Sequence, residues 1–260
     1  MGVIEGYEQH LGLARAFADA AQALQASTSF PETVQRIVDL AVTTIPGCEH
    51  AALSVSAAGN GTAPVGTHVR AVRADEVQHR TGEGPCRDAL AGELLVHADN
   101  LVADGRWPLF SAGALEQGFR SALSCRLLVP RNEETLGALT LYSSLPSAFD
   151  VAARDLALMF ASHAALALAG AEQELRAAVR ERNLEEALRS RDVIGQAKGI
   201  LMERERIGPE EAFERLRRIS QHQNRKLRVI AEELATNGNG SSGNGSSGNG
   251  AASDGAPTDI

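Results

Sequence analysis

The residues best suited to chemistry lie late in the chain. Arg215, Arg217, Arg218, Arg225, Lys226 and Arg228 fall within fourteen positions that hold no acid. A basic run is ordinarily a solvated helix face. One without interspersed acids, in a chain of net charge −8, points instead toward phosphate. Residues 184–235 carry eleven Lys/Arg against ten Asp/Glu, a local sum of +1, so the remainder carries −9. That balance argues against nucleic-acid binding by the whole molecule and leaves it to this segment. No Trp or Tyr is interleaved, so contacts to bases would rest on Arg, Asn224 or His222.

A second candidate is Cys86, beside Gly84–Pro85. It would act as a redox sensor if Arg87 or a helix N-terminus stabilised its thiolate. The plainer reading of a free cysteine is a small buried apolar residue. Trp107 and Phe110 are candidate pocket residues, although aromatics at this spacing also serve as core. Cys48, Cys86 and Cys125 stand at intervals of roughly 38 residues, which suit neither a zinc motif nor a disulfide framework. There is no phosphate-cradling glycine loop, no H-E-x-x-H and no G-x-S-x-G. G-E-G-P at 82–85 reads as a turn, and no acidic pair caps an early strand as receiver phosphorylation would need. The expectation is a non-enzyme with no metal site and no identified cofactor.

The elements that must position these residues follow from periodicity. Residues 4–26 read as an amphipathic helix with Leu13, Phe17, Ala21 and Leu24 on one stripe. S-F-P-E at 29–32 reads as a capping-box start to a second helix, which Pro46 and Gly47 end. Strand-like runs follow at 51–57, 68–75, 93–98, 121–130 and 135–143, with short helices at 85–93 and 107–118 and a hairpin loop at 131–134. This mixture is α+β: an antiparallel sheet flanked by helices. At 43% hydrophobic residues the chain can bury an ordinary core.

From Asp150 the pattern turns helical, without proline as far as Ser190 and with Gly170 its one glycine. Leu168, Ala171, Leu175 and Ala178 follow a coiled-coil spacing, broken by Arg182 and resumed with a shift at Leu184, Ala187 and Leu188. Such a stripe needs a partner, either the chain's own first helix or a second copy; we expect a homodimer. A helix through 190–206, one from Pro209 and one from Leu227 then make a three-helix unit, each too short to be stable alone. Gly195 and Gly199 are one turn apart on one face. Gly195 is expected to receive Ala212 or Ala231, and Gly199, next to Lys198, to let a ligand approach closely. The N-terminus has neither a basic n-region nor an apolar h-region, and no eighteen-residue apolar run is present. These features suggest a cytoplasmic protein without a membrane span.

Within EEALRSRDVIGQAKGILMERERI and PEEAFERLRRISQHQNRKL, the runs S-R-x-x-I-x-x-A-K-G-x-L-M and E-A-F-x-x-L-R closely resemble the ANTAR domain, a three-helix RNA-binding antitermination module. Val229 stands where that family's pattern leads us to expect an acid. The resemblance implies binding to RNA hairpins whose formation prevents an overlapping terminator. From the charge run and its placement we expect RNA contacts at Lys198, Gly199, Arg217, Arg218, Asn224, Arg225 and Lys226, with Arg191 an outlying candidate. The alternatives are a protein-docking unit and a DNA-binding helix-turn-helix.

Upstream, TGEGPCRDALAGE (81–93), DGRWPLF (104–110) and GFRSALSCRLLVP (118–130) resemble a GAF domain, with 150–169 as its closing helix. GAF domains are commonly sensors that hold a small ligand between sheet and covering helices. The Asn-Lys…Phe…Asp-Glu pattern of cyclic-nucleotide GAF domains is not found, and no histidine is obviously placed for haem, with His79, His97 and His163 the ones to check. The expected organisation is an N-terminal helix (1–28), a GAF-like sensor (29–170), a coiled-coil linker (171–183), an ANTAR-like RNA-binding unit (184–236) and a disordered Gly/Ser/Asn-rich tail (237–260).

Overall fold

The computed structural model describes residues 2–27, 29–55, 64–131 and 133–239. The tail from residue 240 onward and the side chain of Leu13 lie outside the described residues. The chain divides into two compact units, Met1–Ala178 and Val179–Ile260.

The first unit is an α+β sandwich around one antiparallel sheet. Its strands are β1 (His50–Val55), β2 (Val65–Gly66), β3 (Leu95–Ala98), β4 (Ser121–Val129) and β5 (Glu134–Ser143), in the order β2-β1-β5-β4-β3. Every neighbouring pair is antiparallel. Successive side chains point to opposite faces. Leu53, Leu123, Cys125, Leu127, Leu139 and Leu141 therefore face one way, against α1 (Gly2–Gln25), α2 (Phe30–Thr44) and the first turns of α6 (Val151–Glu205). Ile37, Phe149 and Phe160 fill that layer. Ala52, Ala122, Ala138 and Tyr142 face the other way, toward α3 (Val69–Thr81), α4 (Pro85–Ala91) and α5 (Pro108–Glu116). The central strands are covered on both faces, which explains their nearly unbroken apolar runs.

Three expectations are corrected here. Residues 68–75 are not a strand: His68 caps α3, its ring accepting a hydrogen bond from the Arg70 N–H, and Gly82 ends the helix at φ 76°. The apparent alternation is a helical pattern cut short: of the buried residues, Ala71/Ala74, Ala74/Val77 and Asp75/Gln78 are three apart and Ala71/Asp75 and Ala74/Gln78 four apart. Ser29 occupies the N-cap of α2 but its hydroxyl caps nothing; Thr33 Oγ1 instead donates to the Ser29 carbonyl at 2.9 Å. The helices read as 150–190 and 190–206 are one continuous α6, since neither Gly195 nor Gly199 outweighs the good helix formers around them.

The second unit packs the C-terminal part of α6 with α7 (Pro209–Gln223) and α8 (Leu227–Asn239). Its core is Ala197, Leu201, Ala212, Leu216, Ile230 and Ala231. Pro209 opens α7 with Glu210 and Glu211 in its first turn, where acids suit the helix dipole. Asn224 stops it in the left-handed region (φ 50°, ψ 41°), its N–H bonding back to Gln221 O. The Ser220 hydroxyl donates to Arg225 O at 2.5 Å and locks this turn.

Among the described residues, α6 is long and apolar enough, by length and composition only, to cross a membrane. The reason is its alanine-rich stretch, half of which is buried within the protein as a core helix would be.

Candidate functional site

In the helical unit the basic residues fall into three settings. Arg191, Gly195 and Lys198 lie at i, i+4 and i+7 on α6 and so share a face. The Lys198 ammonium sits 6.0 Å from the centre of the Phe213 ring. A Cβ at Gly195 or Gly199 would meet no heavy atom within 4 Å, so neither Ala212 nor Ala231 packs on Gly195 as expected. Both glycines are exposed backbone, because the helices meet through Ala197 and Leu201 instead.

On α7, Arg217 has Glu214 at 3.3 Å, an exposed contact of the weakly stabilising kind. Arg218 has no ion-pair partner among the described residues and lines an open groove with Arg215, Ile219, Gln221, His222 and Gln223. Arg215 leans toward Glu205, 3.3 Å away.

At the turn into α8, Asn224 and Lys226 are exposed. Arg225 donates to both oxygens of Glu233, one contact at 3.0 Å, and this pairing holds the Glu233 carboxyl below its usual range. Arg228 lies between Glu186 (3.6 Å) and Glu232 (3.7 Å). The expected RNA-contact residues thus spread along α6, α7 and the α7–α8 turn. Gln221, which sequence reasoning did not single out, joins Arg215 and Arg218 in the groove; helical spacing from Arg218 was the available signal.

The sensor unit holds a different site. On the sheet face toward α3 and α4, β1 presents Ser54 and β5 presents Thr140 and Tyr142, all buried. Asp75, on α3, is fully buried against them. Its Oδ2 accepts from the Ser54 hydroxyl. Its Oδ1 accepts from Gln78 Nε2 at 2.8 Å and the Tyr142 hydroxyl at 3.1 Å. His79, one turn on, brings Nε2 to 2.6 Å from Ser54 Oγ and 3.8 Å from Asp75 Oδ2. Burial pushes the Asp75 carboxyl up, opposed by Ser54 and His79. Gln78 Oε1 accepts the Cys86 N–H at 2.7 Å and so fixes the start of α4. Gly84 makes that approach feasible: its φ is +125°, and a Cβ there would lie 2.3 Å from Gln78 Oε1.

Cys86 is buried in this cluster, and burial, reinforced by Asp75, pushes its thiol well up despite Arg87. Burial likewise pushes the Cys48 and Cys125 thiols to about 12. Trp107 and Phe110 are core, 6.3 Å apart edge to face, and Trp107 Nε1 donates to Asp88 at 3.0 Å. Asp75, His79 and Cys86 offer ligand atoms that all lie within 4.8 Å of one another. His97 and His163 lie elsewhere, beside Asp99 and against Phe17.

Comparison with known proteins agrees with this division. The GAF domain model matches residues 27–169 and the ANTAR domain model matches residues 174–234. The chain belongs to the GAF domain family and carries an ANTAR domain C-terminal to it. No curated protein matches its sequence. Among solved structures it is similar to the GAF domain of a phosphoenolpyruvate-protein phosphotransferase from Acinetobacter (14% identity, 63% of this chain and 97% of that one, TM-score 0.48). It is also similar to the chromophore-binding domain of an unusual bacteriophytochrome from R. palustris (9% identity, 64% of this chain and 62% of that one, TM-score 0.47). At these scores nothing about ligand or activity passes to this chain. The two domains support an RNA-binding antitermination regulator with a sensor domain, and both are typically soluble regulatory modules.

Proposed function

We propose that the protein is a cytoplasmic, signal-responsive antitermination regulator in which the GAF unit controls RNA-hairpin binding by the ANTAR unit, and that it has no catalytic activity. The observation that carries the reading is the acid-free basic segment of α7 and its following turn, with Arg218 beside an open groove and without an ion-pair partner among the described residues. Hairpins present a dense phosphate backbone together with unstacked loop bases. Arg217, Arg218 and Lys226 suit the phosphates, with Arg191, Lys198 and Arg225 flanking them. Exposed Asn224 suits a base edge, and the bare backbone at Gly199 admits close approach. The domain bounds we propose are 29–170 for the sensor and 184–236 for the RNA-binding unit.

We further propose a homodimer through α6. Leu175, Val179, Leu184 and Leu188 remain exposed there, at 45%, 40%, 63% and 54%, as a helix awaiting a partner would leave them.

Replacing Arg217 and Arg218 with Ala tests the interface. Binding to hairpin RNA should weaken, and the slope of log K against log salt should flatten by roughly 1–2, one counterion per lost phosphate contact. A folded variant with unchanged affinity and slope would remove these residues from the interface.

A further inference from the structure

We propose that Asp75, His79 and Cys86 form a site for a divalent transition-metal ion, Zn²⁺ by the donor set, inside the GAF unit. The assignment concerns this unit alone and does not depend on RNA binding.

The donors are one carboxylate, one imidazole and one thiol, the mixture that suits zinc and disfavours magnesium or calcium. Asp75 and His79 lie one turn apart on α3, so both project from the same helix face. Cys86 is brought opposite them by the Gly84–Pro85 turn, and Gln78 ties that turn to the carboxylate by bonding both the Cys86 N–H and Asp75 Oδ1. The three ligand atoms already lie within 4.8 Å of one another. Tetrahedral zinc asks for separations of about 3.3–3.7 Å, reached by small side-chain movements. Ser54 Oγ, in contact with both Asp75 and His79, marks where a fourth position would open.

Charge supports the same conclusion. Among the described residues, the fully buried Asp75 has only the partly exposed His79 as an ion-pair partner. A buried carboxylate compensated chiefly by hydrogen bonds, here from Ser54, Gln78 and Tyr142, remains costly to ionise. Zn²⁺ with one carboxylate and one thiolate is neutral overall, so the ion would remove that cost. On binding, Cys86 releases its thiol proton to solvent, and His79 binds as the neutral ring with its proton on Nδ1. The His79 side chain is 30% exposed and provides the way in.

The test is a Co²⁺ titration of the full metal-stripped chain, followed by absorbance. We expect about one equivalent to bind, with a thiolate-to-cobalt charge-transfer band and the visible bands of four-coordinate cobalt. Cys86→Ser should abolish the charge-transfer band, whereas Cys48→Ala should keep it. His79→Gln, at a partly exposed position that tolerates change, should weaken binding roughly tenfold or more. A featureless titration of the wild-type chain would establish a hydrogen-bonded network without an ion and overturn the proposal. A band that survives both Cys86→Ser and His79→Gln would overturn it equally.

Discussion

Arg218 and Arg225 carry the same guanidinium into different surroundings. Arg218 faces open groove, whereas Arg225 is engaged by Glu233 across the start of α8. A phosphate approaching Arg225 must first displace that carboxylate. Glu233→Gln should therefore raise affinity for hairpin RNA a few-fold, read in an equilibrium titration; unchanged or weaker binding would place Arg225 outside the interface. Both arginines are plain in the sequence, but the pairing with Glu233, eight residues on, is not. It arises because Asn224 turns the chain and brings the two helices together. The buried cluster was hidden for a related reason. Asp75 and His79 are recognisable as a pair only when 69–81 is a helix, and the segment's short alternation of polar and apolar residues imitates a strand. Cys86 could be singled out from its Gly-Pro neighbours, but its polar neighbours, Ser54 and Thr140, come from strands far away in sequence.

Periodicity revealed most elements because their faces are strongly one-sided. Four of five sheet strands match expected apolar runs. The fifth, Val65–Gly66, is two residues long and carries no pattern to read. On α7 the buried members are Ala212 and Leu216, one turn apart. Phe213, next to Ala212, stays 38% exposed and lies against Lys198. Among the described residues the helical unit's core is six buried residues, so each matters. Leu216→Ala should cost roughly 2–5 kcal/mol, the range for truncating a buried leucine. Thermal unfolding should then show the helical unit melting early while the sheet unit keeps its own transition. A single transition shifted as a whole would mean the two units unfold together.

At the scale of the whole molecule, charge is unevenly divided: residues 184–235 sum to +1 and the remainder to −9. On the proposed reading, an acidic sensor unit would leave long-range attraction for RNA to the C-terminal helices. A dimer joined along α6 would present two such units. A target with two hairpins would then gain from effective concentration, by up to about a hundredfold over a single hairpin. The most direct measurement is the affinity of the full chain for single-hairpin RNA, paired-hairpin RNA and duplex DNA of equal length, each at low and moderate salt. The account predicts that paired hairpins bind tightest, single hairpins more weakly and duplex DNA least, with affinity falling steeply as salt rises. Equal affinity for all three, or no binding to any hairpin at low salt by a folded chain, would contradict it.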